Sequence, residues 1–200
     1  MKRMNTEEGF TGLEAAIVLI AFVVVAAVFS YVVLGAGFFT TQKAQEVVYT
    51  SVDQASSSVE ILGQVYGYGN GTDGNYVDIG KIQFKVGLTA GGSPVDFSKT
   101  TLTFVTDSNV SRLQLAGEKR VDEDKVKSGM WGVTKIFNAN GAEDLLLENQ
   151  EQFVILASPV TSDNVTANQN FHIEIRPSVG ASYSINRKVT PSIGAVNVLN

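Results

Sequence analysis

The sequence has no cysteine and only one histidine. Without cysteine, the chain can form no disulfide and offers no thiolate to a metal or to a nucleophilic mechanism. A Ser-His-acid triad would need His172 as its base, but the alternation in Phe171-His172-Ile173 turns this imidazole away from the apolar face of a predicted strand. We therefore predict no catalytic residue and a chain that is not an enzyme.

Positive charge is also scarce. The chain has 15 Lys and Arg against 20 Asp and Glu, a formal net charge of −5 and no basic cluster, so no nucleic-acid partner is predicted. The glycines of segment 67–74 lack the preceding strand and following helix of a phosphate-binding loop. Two acidic segments, 73–78 and 122–124, lack the spacing of a calcium loop, so we interpret them as solvated loop acids. No cofactor and no metal site are predicted.

Charge is absent altogether between Ala15 and Gln42. A helix over this run of about 28 residues would be roughly 42 Å long, whereas a bilayer core is only ~30 Å thick. Because a helix that is apolar all round must be buried, it lies either in lipid or among other helices. Lys2 and Arg3 precede the run, so the positive-inside tendency places the N-terminus in the cytoplasm and the bulk of the chain outside the membrane.

The junction before the apolar run differs from an ordinary secretory signal. Such a signal has roughly 7–15 apolar residues followed by a small-residue cleavage site, whereas here Gly9 stands before the apolar residues. Cleavage between Gly9 and Phe10 would leave the helix on the mature chain and create a positive N-terminal amine. Glu14 is the one charge near the start of the run, and a carboxylate there is costly unless it is paired or lies at the membrane interface.

Glu8-Gly9-Phe10, followed by Thr11-Gly12-Leu13-Glu14 and the long apolar helix, resembles the class III signal of the type IV pilin superfamily. Within it, FTGLEAAIVLIAFVVVAAVFSYVVLGAGF is similar to the start of archaeal flagellins, or archaellins, and Gly92-Ser93-Pro94-Val95-Asp96 also resembles that family. The leader differs from that of many members in having Glu7-Glu8 where they have basic residues, which bears on the efficiency of processing.

The resemblance implies a processing and assembly sequence. A prepilin-type signal peptidase would cleave after Gly9 while the precursor lies in the cell membrane. Glu14 would then pair with the new N-terminal amine of a neighbouring subunit, at a helix N-terminus that favours negative charge. The helix would enter a filament core with the help of the archaellum assembly machinery. The resemblance leaves a structural metal open, because some archaellins carry one.

Beyond the apolar run the sequence predicts an α+β fold, in which a long N-terminal hydrophobic α-helix is followed by an antiparallel β-sandwich or barrel-like (Ig-like) domain. We predict a leader peptide at 1–9, and a helix at 10–66 that spans the membrane in the precursor and forms the filament core when assembled. A glycine-rich linker at 67–80 and an outer β-domain at 81–200 follow. Short alternating segments separated by turn residues predict eight strands, at Lys81–Leu88, Thr100–Thr106, Arg112–Ala116, Val133–Phe137, Gln152–Ala157, Phe171–Arg176, Tyr183–Val189 and Ala195–Leu199.

Three N-x-S/T sequons begin at Asn70, Asn109 and Asn164. All three fall in predicted loops of the part expected to lie outside the membrane, where a glycan would be bulky and solubilising. Since archaellins commonly carry such glycans, we predict these asparagines as glycosylation sites.

These features favour one function over three alternatives. The favoured function is a structural subunit of the archaeal flagellum, or archaellum, filament. It would polymerise through its helix, as a homopolymer or with other archaellins, to drive swimming. The first alternative is an adhesive pilin of the same superfamily, and the second is a membrane-anchored extracytoplasmic binding domain that never polymerises. The third, an enzyme, is disfavoured by the lack of a polar catalytic set.

Overall fold

The computed structural model describes residues 6–72, 74–141 and 144–200. They fall into two compact units, of which one ends at Thr50 and the other spans Ser51–Asn200. The first unit is helical and the second consists mainly of β-strands. This order of helix and strands agrees with the fold class predicted from the sequence.

The helix α1, Thr6–Ser56, contains 51 residues and is roughly 76 Å long at about 1.5 Å per residue. It has no proline and stays helical through its glycine-containing segment 34–38. The hydroxyls of Thr40 and Thr41 each donate to the carbonyl oxygen four residues earlier, at 2.8 and 2.9 Å. Both hydroxyls are therefore satisfied within the helix, and neither needs a partner outside it.

The second unit is built from short strands and three 3₁₀ turns. In the described part of the chain the strands are β1 Val59–Ile61, β2 Val65–Thr72, β3 Asn75–Leu88, β4 Val95–Asp96, β5 Thr101–Thr106, β6 Val110–Leu115, β7 Met130–Phe137, β8 Leu146–Leu147, β9 Gln152–Ser158, β10 Val165–Thr166, β11 Asn170–Arg176, β12 Tyr183–Lys188 and β13 Val196–Leu199. The 3₁₀ turns are Phe97–Lys99, Glu123–Lys125 and Thr161–Asp163.

One sheet joins most of these strands, in the order β12-β11-β5-β6-β7-β9-β3-β2-β13, and β1 and β10 also pair with β3. The pairs are antiparallel except for β6 and β7, which run parallel. The strands β4 and β8 form a separate antiparallel pair. The N–H of Lys188, at the end of β12, donates to the carbonyl of Asn200, just beyond β13, at 2.7 Å. The two edges of the sheet therefore approach each other, and the sheet is nearly barrel-shaped.

Aromatic residues pack against one another within the core of this barrel, among buried Val, Ile and Leu side chains. The ring of Phe97 meets Trp131 edge-on at 6.4 Å and Phe153 at 5.5 Å, and Phe104 stacks on Phe171 at 5.6 Å. These five side chains are buried. Because aromatic burial dominates core energetics, this cluster fixes the strands that surround it.

The chain enters the β-domain through a tight contact just after the end of α1. Ser57 is buried, and its N–H donates to the carbonyl of Asp53 at 2.9 Å, which closes the helix. Its own carbonyl accepts from the N–H of Ala181 at 3.1 Å. A Cβ on Gly180 would overlap that carbonyl oxygen, so only glycine fits at this position.

Two of the predicted boundaries are wrong. The helix was predicted to run to residue 66 but ends at Ser56, because Val59 pairs with Leu88 as part of β1 and is buried in the core. The predicted linker 67–80 instead forms the hairpin of β2 and β3, and the β-domain therefore begins well before residue 81. Two of its glycines, Gly67 and Gly69, are required by close packing: a Cβ on Gly67 would lie 3.0 Å from the side chain of Leu199, and one on Gly69 would overlap the carbonyl of Gly194.

Candidate functional site

The apolar surface of α1 is exposed from Leu13 onwards in the single chain. Seventeen large apolar side chains between Leu13 and Phe39 are all more than half exposed, from 52% at Val33 to 81% at Tyr31. The exposure continues through Val47 and Val52. Full burial of one such side chain is worth about 1.5–3 kcal/mol. An exposed apolar surface of this extent marks a site of contact with lipid or protein.

Charged groups flank this surface. Glu14 is exposed on α1, and Gly9 and Phe10 lie in the first turns of the same helix. At the other end, Lys43 forms an exposed ion pair with Glu46 at 2.6 Å. The helix therefore presents an uncharged middle between two ends that can face water, as a membrane-spanning or core-forming helix requires. By length and composition, Gly12–Ser56 can cross a membrane.

The sequon asparagines gather at one end of the β-domain. The side-chain amide Nδ2 of Asn109 donates to Oδ1 of Asp163 at 2.7 Å. The Nδ2 of Asn164 donates to Oδ1 of Asp78 at 3.0 Å. Asp78 is in turn the register partner of Asn70 across β2 and β3. Side chains far apart in the sequence thus form one polar cluster, which we call the sequon cluster: Asn70, Asp78, Asn109, Asp163 and Asn164.

Asp163 is the buried anion of the sequon cluster. It is only 5% exposed and also accepts from the hydroxyl of Ser162 at 3.2 Å. The hydrogen bond from Asn109 lowers the pKa of Asp163, while burial acts in the opposite direction. The hydrogen bond from the hydroxyl of Ser162 also lowers this pKa. The cluster therefore holds Asp163 as a carboxylate.

His172 lies beside a cavity of about 340 Å³ between the ends of β5, β11 and β12. It is half-buried rather than fully turned to solvent, and it pairs with Asn186 and Val105 in the sheet. The cavity is also lined by Asp107 and Lys188. Within the described residues, no hydrogen bond joins His172 to a serine, a threonine or a carboxylate. The cavity therefore presents a polar surface without the contacts of a catalytic triad.

The acidic segment 122–124 is exposed and lies next to lysines. Asp122 faces Lys125 at 4.0 Å, and Glu123 faces Lys135 at 3.8 Å. Such exposed pairs contribute little to stability. In the other acidic segment, 73–78, Asp73 lies outside the described residues.

The family follows from comparison with known proteins. Residues 9–187 match the family model of the archaeal-type flagellins. The chain belongs to the archaeal-type flagellin family. It is 43% identical to "Probable flagellin 1" of Archaeoglobus fulgidus over 203 residues, which covers 100% of this chain and 98% of that protein. The family predicted from the N-terminal motif is thereby confirmed.

Two solved structures of archaeal flagellins match most of this flagellin chain. A chain of the archaeal flagellum of Methanospirillum hungatei strain JF1 is 34% identical, with a TM-score of 0.71 over 94% of this chain and 99% of that one. Archaeal flagellin FlaB1 of Methanocaldococcus jannaschii, at 17% identity, shares the fold, with a TM-score of 0.57 over 70% of this flagellin and 95% of that chain. The predicted long helix followed by a barrel-like β-domain is confirmed.

The sequence did not predict the roles of two carboxylates of this flagellin, Asp78 and Asp163. The interpretation of Asp78 as a solvated loop acid was wrong, because it is half-buried within β3 and accepts a hydrogen bond from Asn164. The asparagine partners of the two carboxylates lie 86 and 54 positions away along the chain. No local pattern marks such a pair, since hydrogen bonds of this kind depend on the sheet order. Only the sequons themselves could have pointed to this end of the domain.

Proposed function

We propose that this flagellin is a structural subunit of the archaeal flagellum filament, in which α1 packs with the helices of other copies and the β-domain forms the outer layer. The observation that carries the proposal is the exposure of every large apolar side chain from Leu13 to Phe39 in the single chain. Packing against identical helices removes this surface from water without lipid. Rotation of the filament outside the cell would then drive swimming.

The helix requires a route from the membrane to the filament. In our proposal the precursor lies in the membrane with its N-terminus in the cytoplasm, and a prepilin-type signal peptidase cleaves between Gly9 and Phe10. Because cleavage precedes the apolar run, the mature subunit keeps the whole of it. The archaellum assembly machinery then extracts the helix and adds the subunit to the filament.

Glu14 is proposed as the docking charge. It lies one turn from the Phe10 amine that cleavage would create, and no other side chain between that amine and Lys43 is charged. A carboxylate in such surroundings is favourable only when it is paired. Pairing with the amine of a neighbouring subunit satisfies both charges at once.

The β-domain is proposed to carry N-linked glycan on at least one of its sequon asparagines. A glycan adds hydration to the outer surface of a filament and takes part in no contact along α1. Asn70, Asn109 and Asn164 are all on the β-domain, so modification is compatible with assembly through the helix.

Mass spectrometry of the N-terminus of material sheared from cells tests the assembly proposal. We expect high-molecular-weight filaments whose subunits begin at Phe10. Gly9→Val should block processing and hold the precursor in the membrane, whereas Gly12→Ala, in open space on the same helix, should be processed normally. Subunits that begin at Met1, or material that stays in the membrane as monomers, would contradict the proposal and favour an anchored domain that does not polymerise.

Swimming and surface adhesion, scored separately after deletion of the gene, distinguish the flagellar role from that of an adhesive pilin. We expect loss of swimming with adhesion retained. The reverse result would contradict the flagellar role.

A further inference from the structure

The three sequons are not equivalent in the folded protein, although their sequences predict the same modification. In N-linked glycosylation the Nδ2 atom attacks the anomeric carbon of a glycosyl phosphate donor. The new C–N bond replaces the C–O bond to phosphate, the phosphate leaves with the bonding electrons, and one amide proton is lost. The Nδ2 atom must therefore be free to approach the donor, and the surrounding residues decide whether it is.

The side chain of Asn109 is held at both ends. Its Nδ2 donates to the buried carboxylate of Asp163 at 2.7 Å, and its Oδ1 accepts from the N–H of Val110 at 2.9 Å. The hydroxyl of Ser111, the third residue of this sequon, is buried. Freeing the amide would remove the shorter of the two hydrogen bonds that the buried carboxylate of Asp163 accepts from Asn109 and Ser162, which is costly. Asn109 therefore acts as a structural partner of Asp163.

Asn164 is held in a similar way. It is half-buried next to Asp163, and its Nδ2 donates to Oδ1 of Asp78 at 3.0 Å. Val165, inside the same sequon, is buried and pairs with Ile79 of β3. The amide of Asn164 thus ties the segment before β10 to β3, and glycosylation would need this contact to open.

Asn70 differs from Asn109, which is also exposed, and from the half-buried Asn164 in its hydrogen bonding. It is exposed, and its side-chain amide makes no hydrogen bond within the part of the chain that the structure describes. Its side chain lies over Gly80, where a Cβ would come within 3.1 Å of the Cβ of Asn70. Thr72, which completes the sequon, is exposed as well. Nothing in the described fold holds the Asn70 amide away from a donor.

The backbone around Asn70 is also accessible. β13 pairs with β2 as far as Tyr68, and one further hydrogen bond, from the N–H of Gly69 to the carbonyl of Ala195 at 3.1 Å, ends this contact just before the sequon. On the other edge, the pairing of β2 with β3 shifts register on both sides of the Gly69-Asn70 step. Such irregularities locally disrupt the hydrogen bonds between two strands. The segment 70–72 can therefore bind in an extended form to a transferase with little loss of sheet structure.

Asn70 lies far from the point where the chain leaves α1. Its register partner Asp78 is near the start of β3, whereas Leu88 at the end of β3 pairs with Val59, three residues after the helix. Ten residues of strand separate Asp78 from Leu88, or roughly 33 Å at about 3.3 Å per residue. A glycan at Asn70 would therefore leave the surroundings of the helix end clear.

We propose that Asn70 is the glycan attachment site of this flagellin and that Asn109 and Asn164 are structural amides of the sequon cluster. The proposal rests on the export of the β-domain to the cell surface that the proposed function requires. It assigns one occupied sequon where the sequence predicts three.

The test compares single variants of the full chain, expressed in the native cell, by intact mass and glycopeptide mass spectrometry of the sheared subunit. We expect one glycan on the wild-type subunit, and its complete loss in Asn70→Gln and in Thr72→Ala. Thr72→Ser keeps the sequon and should keep the glycan. Thr166→Ala destroys the third sequon but leaves the Asn164–Asp78 contact in place, so it should change neither the glycan mass nor the melting temperature.

The structural role of the Asn109 and Asn164 amides is tested by the melting temperature. Asn109→Ala and Asn164→Ala should keep the glycan mass but lower the melting temperature of the β-domain by about 3–10 °C, since each removes a hydrogen bond to a carboxylate. Asn70→Gln should change it by less than about 1 °C. The fluorescence of Trp131, the sole tryptophan and a buried one, reports this transition.

A glycan on Asn109 or Asn164 in the wild-type subunit, or a bare Asn70, would overturn the assignment. The same samples distinguish failure of the Asn70 assignment from failure of the proposed function. Filaments whose subunits begin at Phe10 but carry no glycan at Asn70 would reject only the assignment. Absence of any exported filament would reject the function on which it rests.

Discussion

Gly180→Ala should destabilise the β-domain at the point where the chain leaves α1. Gly180 has a φ of +103°, which L side chains rarely adopt. A Cβ there would also overlap the carbonyl oxygen of Ser57, which accepts a hydrogen bond from Ala181. Because the obstructing atom belongs to the backbone, no side-chain rotation can relieve the clash.

The expected loss of stability in Gly180→Ala has three contributions. The left-handed conformation costs about 1–2 kcal/mol with a Cβ present, loss of the Ala181–Ser57 hydrogen bond costs about 1 kcal/mol, and overpacking costs about 1–3 kcal/mol. A total of roughly 3–6 kcal/mol corresponds to a fall in melting temperature of about 6–24 °C for a chain of this size.

Gly141→Ala is the matched control. Gly141 has nearly the same φ, +101°, but a Cβ added to it would have no atom within 4 Å. Gly141→Ala therefore has the cost of the left-handed conformation but not the clash. Because alanine also makes the unfolded chain less flexible, the net loss of stability is roughly 1 kcal/mol. The difference between the two variants isolates the contact with Ser57.

The assay is thermal unfolding of the full mature chain in detergent, followed by the fluorescence of Trp131, which lies in the aromatic core of the β-domain. Equal shifts for Gly180→Ala and Gly141→Ala would refute the argument, because the backbone contact would then contribute nothing. A Gly180→Ala shift below about 3 °C would refute it as well.

Two further predictions concern charged groups. Because the pKa of Asp163 is lowered in the folded state, its ionised form stabilises the fold at any pH above 3.8, the ordinary pKa of an aspartate. This contribution is lost as the pH falls through the lower pKa of the folded state. The urea midpoint of the wild type should therefore exceed that of Asp163→Asn by a constant amount above about pH 5, and this difference should close below about pH 3.8. A difference that stays constant in acid would contradict the lowered pKa of Asp163. Glu14→Gln should leave processing at Gly9 intact but reduce the yield of filaments at least tenfold, while Glu46→Gln, which breaks only an exposed ion pair, should assemble normally. Normal filaments from Glu14→Gln would rule out the docking role.

Alternation along the chain predicted the strands of the β-domain well where one face is buried. Phe171, Ile173 and Ile175 are buried along β11, as their period of two requires. All eight predicted strands are present, with ends displaced by at most a few residues except at the start of β3.

The failures of prediction have a common physical cause. Segment 67–80 is rich in glycine, which favours loops when the sequence is read alone. In the fold, Gly67 and Gly69 have no side chain because neighbouring groups occupy that space: Leu199 and Ile79 at the first, and the carbonyl of Gly194 at the second. Their partners are distant in the sequence, so no local pattern distinguishes glycine required by packing from glycine that confers flexibility.

The difference between a local sequence signal and contacts that are distant in the sequence also separates the two functional regions of the molecule. The assembly helix could be predicted from the sequence alone, because its signal is a continuous run of apolar residues. The sequon cluster could not, because the motif N-x-S/T marks Asn70, Asn109 and Asn164 equally. The contacts that distinguish them, to Asp163 and Asp78, exist only after β3, β5 and β10 have been brought together.

The length of the uncharged run bears on where the helix is finally buried. About 20 residues suffice to cross a bilayer, whereas the run from Ala15 to Gln42 has about 28, an excess of roughly 12 Å. In lipid, this excess forces the helix to tilt or leaves apolar residues such as Phe38 and Phe39 in the headgroup region or in water. A bundle of parallel helices has no fixed thickness and can cover the whole run, including the Thr40 and Thr41 hydroxyls that are already satisfied within α1. Packing among other copies covers the whole run without tilt or mismatch, which makes the filament a better-matched environment for this helix than the membrane.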